Sequence, residues 1–203
     1  MDSARYYVAL VLVIAFPPML LAWPLIHPFV RFWRKLGPGW TYTVVGTFIG
    51  AGMVGLSLIR RPLLAIEFGT SYPLAALGAL CFAASLWMGL ALLRHMSITL
   101  ILGLPEIAPE RHPAGLVTQG IYARIRHPRY VQLALGLLGC ALFANYLAPY
   151  ATFALWLPGL WTIVVLEERE LRDRFGAEYE AYCRRVPRFV PRSSRGPRRA
   201  PGR

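Results

Sequence analysis

Apolar positions along this chain fall into long blocks, not into the alternation of a strand. Tyr6–Trp23 is continuous and carries no charge. It is close to the ~20 residues that cross a hydrocarbon core. A cleaved signal peptide is the rival reading. Arg5 and Asp2 in the leading segment and the missing small-x-small step argue against it. Pro17 and Pro18 are expected to kink the helix. Trp40–Ile59 predicts a second span, in which Gly46 and Gly50 have the GxxxG spacing that favours close helix packing. Tyr72–Leu93 predicts a third. Ser97–Leu104 is apolar but short, and Pro105, Pro109 and Pro113 break any long helix after it, so a connector near the membrane surface is expected. Tyr130–Phe143 and Pro149–Leu166 predict a fourth and fifth helix, with Asn145 to Pro149 as the turn of a tilted hairpin whose first arm is short for a span. Glu168–Tyr182 has high helix propensity and alternating charges, which extends the fifth helix beyond the membrane, ending near Val186-Pro187.

The expected class is therefore all-α: an integral membrane protein of about five transmembrane helices with a C-terminal helical hairpin and a cytosolic cap. The chain divides into N-terminal spans and connector over 1–110, a core over 111–191, and a tail over 192–203. Composition agrees. The chain of 203 residues is 56% hydrophobic and only 16% charged, with a mean hydropathy of +0.46, whereas soluble domains run near a quarter charged.

Charge sets the orientation. The net charge is +12, and Lys35 is the one lysine among 22 basic residues. The loops after the first and third spans and the tail hold most of the arginines, which places them and the C-terminus on the cytoplasmic side and makes a bacterial inner membrane the expected location. Eight arginines lie between Arg184 and Arg203. Beside a membrane such a cluster meets anionic lipid headgroups, and no soluble fold is visible to present it to nucleic acid. The rest of the tail is rich in Pro, Gly and Ser and is expected to be disordered. The cysteines Cys81, Cys140 and Cys183 are odd in number and form no CxxC, which removes a disulfide framework, and no metal site is expected. Repeats and the glycine-rich nucleotide motifs are absent from the sequence.

Candidate chemistry gathers at the two ends of the hairpin. In Arg126-His127-Pro128 the proline pushes His127 out of helical geometry and is itself suited to the first position of the next helix. A basic pair at a helix N-terminus suits an anionic group; a plain cap under lipid phosphates would look the same. Glu167-Glu168 could be interfacial solvation. The hairpin, however, returns them to the face that carries His127. A carboxylate beside a basic cluster in a partly dry cleft suits an amine-bearing ligand. Tyr179 and Tyr182 read as aromatic-belt residues, while Tyr122 and Tyr130 are the better candidates to stack on a purine or face a sulfonium. His27 and His95 read as interfacial.

On these residues the sequence resembles the isoprenylcysteine carboxyl methyltransferase family and its bacterial relatives and, more distantly, the phospholipid methyltransferases. The resemblance rests on four ordered motifs: LVTxGxYAxxRHPxY at Leu116–Tyr130, Glu167-Glu168, FGxEYxxY at Phe175–Tyr182 and VPRFxP at Val186–Pro191. It implies S-adenosylmethionine as methyl donor, held by Ala114, Gly115, Leu116, Val117, Tyr122, His127, Pro128, Arg129, Tyr130 and Glu168. Arg126 and Glu167 are the candidates for a catalytic role. Eukaryotic members carry an arginine about a turn before the acid pair, where this chain has Ile163, Val164 and Val165. The acceptor therefore stays open among a prenylcysteine-type or isoprenoid carboxylate, a thiol and a lipid amine. The alternative is a non-enzymatic membrane accessory protein of the same wider family. A small transporter is disfavoured because no span interior carries an ionisable residue before Glu167.

Overall fold

The structure, a computed structural model, describes residues 1–94, 110 and 115–191; of Trp23, Pro24, Leu25 and His27 it describes the backbone only. Among the expected features, the connector at Ser97–Leu104, His95, Ala114 and the tail from Arg192 lie outside these residues. The described chain is helical: α1 (Asp2–Ile26), α2 (Val30–Leu36), α3 (Pro38–Leu58), α4 (Arg60–Leu63), α5 (Tyr72–Leu93), α6 (Pro128–Ala144), α7 (Leu147–Phe175) and α8 (Ala177–Arg185). Four of them, α1, α3, α5 and α7, are long and apolar enough to cross a membrane, and α6 is a shorter apolar helix. This is an all-α integral membrane protein.

Local chemistry sets the element ends. Pro38, Pro73 and Pro128 sit in the first turns of α3, α5 and α6, where a missing N–H costs nothing and φ is already helical. Asn145 ends α6 in the left-handed conformation at φ 55°, which an asparagine tolerates better than most residues. The hairpin then turns within two residues. Its tip is fastened to the preceding loop: Phe68 N donates to Asn145 O at 3.1 Å, and Leu147 N donates to Ile66 O at 3.1 Å. Arg5, buried at the start of α1, reaches the same tip. Its Nε donates to Ala144 O at 3.1 Å, and its Nη1 pairs with Glu67 at 2.8 Å.

The arms of the hairpin are unequal. α6 has 17 residues and α7 has 29, or roughly 26 and 44 Å at 1.5 Å per residue. Helix α7 does not continue to Tyr182 as its propensity suggested. It stops at Phe175, and Gly176 at φ 50° and ψ −124° turns the chain into the separate α8. That backbone conformation suits glycine, because a Cβ would crowd the flanking carbonyls. The break folds α8 back, and Tyr179, Tyr182 and Val186 form a small apolar cluster with Leu116, Leu171 and Phe175. Both tyrosines are buried, so they are cap core and not belt residues.

The tightest helix crossing is α5 on α6. A Cβ added at Gly139 would stand 2.7 Å from Gly78 O, and one at Gly136 would stand 2.9 Å from Ser85 Oγ. Two hydrogen bonds lie beside that contact: Ser85 Oγ donates to Gln132 O at 2.8 Å, and Gln132 Nε2 donates to Ser85 Oγ at 3.1 Å. The GxxxG face expected to pack does not. Among the described residues Gly46 and Gly50 have no neighbour within 4 Å of an added Cβ, and α3 instead meets α1 where Gly52 lies against Pro18. Helix α1 stays helical through Pro17 and Pro18 and packs on α6 and α7 through Leu12, Phe16 and Leu20. This bundle holds the start of α6 beside the middle of α7.

Candidate functional site

His127 and Pro128 open α6, and Glu167 and Glu168 lie on α7. Twenty-odd residues of α7 return the chain to the level where α6 began, so the two sequence clusters meet. His127 Nε2 lies 3.2 Å from Glu168 Oε1, and His127 Nδ1 lies 3.7 Å from Glu167 Oε2. The expected juxtaposition is present.

Glu168 is the hub and is 0% exposed. Arg126 Nη2 donates to its Oε1 at 2.8 Å. Arg188 forks onto it, Nε to Oε1 at 3.0 Å and Nη2 to Oε2 at 2.7 Å. Arg172 Nη2 adds a bond to Oε2 at 3.2 Å. A carboxylate in such a place is held by charge-assisted bonds on every lone-pair direction. In return, one negative charge fixes three guanidiniums and an imidazole in place. The bond to Glu168 raises the Arg188 guanidinium pKa further above its ordinary value.

Backbone pairing brings Arg188 there. Arg126 N donates to Pro187 O at 2.8 Å, and His127 N donates to Arg188 O at 3.0 Å. The His127-Pro128 step makes this possible, because Pro128 keeps His127 extended enough for its N–H to face a neighbouring chain. Arg126 completes the joint with Nη1 bonds to the carbonyls of Cys183 and Val186 at 3.0 and 2.9 Å. Residues 186–189 thus lie as a strap across the start of α6. Phe189 stands 6.0 Å from the His127 ring and 6.2 Å from Trp161.

The remaining expected residues fall around this centre. Tyr130 flanks His127 at 5.8 Å between ring centroids, and Pro128 is buried beneath them. Tyr122 O accepts a bond from the Tyr182 hydroxyl at 2.7 Å. Burial, with the nearby Glu167 carboxylate second, pushes the Tyr122 hydroxyl pKa up to about 12, and Arg129 is close enough to oppose that rise. Leu116 packs on the cap, Val117 is half-buried and Gly115 is exposed. Sequence reasoning passed over Arg188 as a site residue. The signal was its place in the VPRFxP motif, but nothing local tells that an arginine after the cap folds back onto Glu168.

Three side-chain atoms at this centre are buried with no hydrogen-bond partner among the described residues: Glu167 Oε2, Arg126 Nε and Tyr179 Oη. A buried orphan polar atom costs stability unless a ligand satisfies it. Glu167 Oε2 faces His127 Nδ1 across a gap too long for a hydrogen bond and would accept from a cation or N–H placed there. Glu167 could take a ligand's ammonium and the aromatic rings could flank a planar base, while the guanidiniums here are bonded to Glu168 and, for Arg126, to backbone carbonyls as well. Among the described residues no cluster of metal-ligating side chains occurs.

Comparison with known proteins points the same way. Residues 74–178, just over half of the chain, match the phospholipid methyltransferase family. Three curated relatives are similar over parts of the chain. A protein-S-isoprenylcysteine O-methyltransferase of Schizosaccharomyces pombe is 32% identical over 139 residues, 67% of this chain and 57% of the relative. A cobalt-zinc-cadmium resistance protein of Cupriavidus metallidurans is 41% identical over 80 residues, 39% of this chain and 37% of the relative. A nickel-cobalt-cadmium resistance protein of Alcaligenes xylosoxydans is 34% identical over 84 residues, 41% of this chain and 39% of the relative. The chain thus spans between about two fifths and three fifths of the length of these relatives. No solved structure matches it. With the matched region running from the start of α5 to the start of α8, and with His127 and the acid pair meeting inside it, the chain belongs to the phospholipid methyltransferase family and is related to the isoprenylcysteine methyltransferases.

Proposed function

We propose that this protein transfers a methyl group from S-adenosylmethionine to a lipophilic acceptor at the cytoplasmic face of a bacterial inner membrane. The observation that carries this reading is the buried, partnerless Glu167 oxygen set opposite His127 beside the Glu168 hub. An accessory protein would have no use for such an unsatisfied buried atom. The surplus of basic loops at the His127 end supports the cytoplasmic side, with the C-terminus and its arginines among anionic headgroups there.

In this reading His127 and the unpartnered nitrogen of Arg126, Nε, meet the methionyl carboxylate or the adenosine side at the start of α6. Glu168 belongs to the same site as the anchor that keeps His127 and Arg188 in position. Tyr122, Tyr130 and Pro128 line the adenosine, and the segment Ala114, Gly115, Leu116 and Val117 with Arg129 closes the polar side. When bound, S-adenosylmethionine supplies a methyl on a cationic sulfur, a leaving group that departs neutral. The protein's share is then positioning in a place of low dielectric, which serves an in-line displacement well. A carboxylate or thiolate acceptor needs no base. For an amine or a neutral thiol, Glu167 is within reach of the His127 corner to take the proton.

Binding of S-adenosylhomocysteine tests the site without needing the acceptor. Wild-type protein in detergent should be stabilised by about 2.7 kcal/mol at a hundredfold excess over Kd. His127→Ala should weaken binding by roughly tenfold or more, the worth of a charge-assisted bond. Calorimetry reads both, and either unchanged affinity in His127→Ala or no stabilisation of the wild type would defeat the assignment.

A further inference from the structure

Helix α2 is strung between two spans. The helices before and after it, α1 and α3, are each long and apolar enough to cross a membrane, so α2 is held at the membrane boundary. Residues four apart share a helix face, which divides its sequence VRFWRKL into three. One face turns inward. Trp33 is buried, and its carbonyl accepts from Gly37 N at 3.0 Å and from Thr41 Oγ1 at 3.4 Å. Beside it, Arg34 Nη2 pairs with Glu170 on α7 at 3.7 Å. These contacts fix the roll of the helix and so decide where its other two faces point.

The second face is apolar and exposed. It carries Phe32 and Leu36, and Phe29 extends it just before the helix starts. The third face is basic and exposed, with Arg31 and Lys35 one turn apart. Among the described residues no ion pair or hydrogen bond reaches either of these side chains. An apolar face set beside a basic one is the arrangement of an interfacial helix, with rings among acyl chains and cations at the headgroups. Two cations at i and i+4 can close on one phosphate. A choline headgroup brings its own positive charge to that phosphate, which the pair would repel. A headgroup of net negative charge does not.

We propose that α2 is a docking site for an anionic phospholipid. Arg31 and Lys35 take the headgroup phosphate, and Phe29, Phe32 and Leu36 lie along the acyl chains. The site holds whatever the methyl acceptor is. Through Arg34 and Glu170 it is also tied to α7, three residues beyond Glu167.

The test uses the full chain in nanodiscs of phosphatidylcholine. A small, equal fraction of the lipid is replaced by brominated phosphatidylglycerol or by brominated phosphatidylcholine with the same chains. Trp40, 65% exposed in the first turn of α3, is the reporter, read as the difference between wild type and Trp40→Phe. The glycerol lipid should quench it at a roughly tenfold lower fraction than the choline lipid, since each basic side chain at the surface favours anionic lipid severalfold. The double variant Arg31→Gln, Lys35→Gln should lose most of that preference. Arg31→Lys, which keeps the charge, should retain it. So should Arg198→Gln with Arg199→Gln, which removes the same charge from the tail. Equal quenching by the two lipids overturns the proposal, as does a preference that survives the double variant or fails in Arg31→Lys. Equal loss in the tail variant also overturns it, because general attraction to a basic protein would then be the cause.

Discussion

Glu168→Gln should lower the stability of the folded protein by roughly 3–5 kcal/mol, the usual penalty for removing one member of a buried ion cluster. The change is almost isosteric, so packing is not the cause. Three guanidiniums and His127 converge on this fully buried side chain. An amide offers one accepting oxygen in place of two and puts two N–H donors against donors. The charge that held Arg126, Arg172 and Arg188 together is also gone. Because those residues anchor the strap and the start of α6, S-adenosylhomocysteine binding should fall as well, by about a hundredfold if two charge-assisted bonds are misplaced. Thermal unfolding in detergent and calorimetry measure the two effects. A variant within ~1 kcal/mol of wild type and with intact affinity would show that Glu168 does not organise the site.

The second large effect is far from the chemistry. Gly139→Leu should cost at least the ~1–3 kcal/mol of an overpacked core and should sharply reduce the folded yield. The new Cβ would meet Gly78 O at 2.7 Å and Phe82 N at 3.0 Å. Both are backbone atoms and cannot swing aside, so α5 and α6 must part. The Ser85–Gln132 bonds near the start of α6 would stretch with them, and His127 would shift. Gly46→Leu on α3 is the matched control. An added Cβ there meets nothing within 4 Å among the described residues, and its yield and unfolding temperature should stay at wild type. Equal behaviour of the two variants would mean that α5 and α6 are not in close contact.

Sequence and structure part company at particular residues. The spans were legible because apolar blocks bounded by proline, glycine and arginine leave few alternatives in a bilayer. Tyr72–Leu93 matches its helix to the residue. The meeting of His127 with the acid pair was legible too, since a hairpin of known arm lengths returns to its starting level. Which helix faces touch was not. Gly46 and Gly50 have the sharper local spacing, yet the close crossing uses one glycine from each of α5 and α6, a pairing visible only in three dimensions. The break at Gly176 hid inside a stretch of strong helix formers, because a single glycine in such a stretch costs only about 1 kcal/mol and need not end a helix. Tyr179 and Tyr182 looked interfacial until that break folded α8 over them. Arg188 was missed for a related reason. Its approach depends on two backbone bonds across sixty residues, and such long-range pairing leaves no periodic trace.

The unequal hairpin has a bearing on how wet this corner is. An arm of 17 residues is about 26 Å long, less than the ~30 Å of a typical hydrocarbon layer. With its tip fastened at the other end by Arg5 and Asn145, an arm this short would draw His127 toward the acyl chains in a bilayer of ordinary thickness. On the proposed methyltransferase reading, the thickness of the host bilayer would then set how much water reaches the reacting atoms.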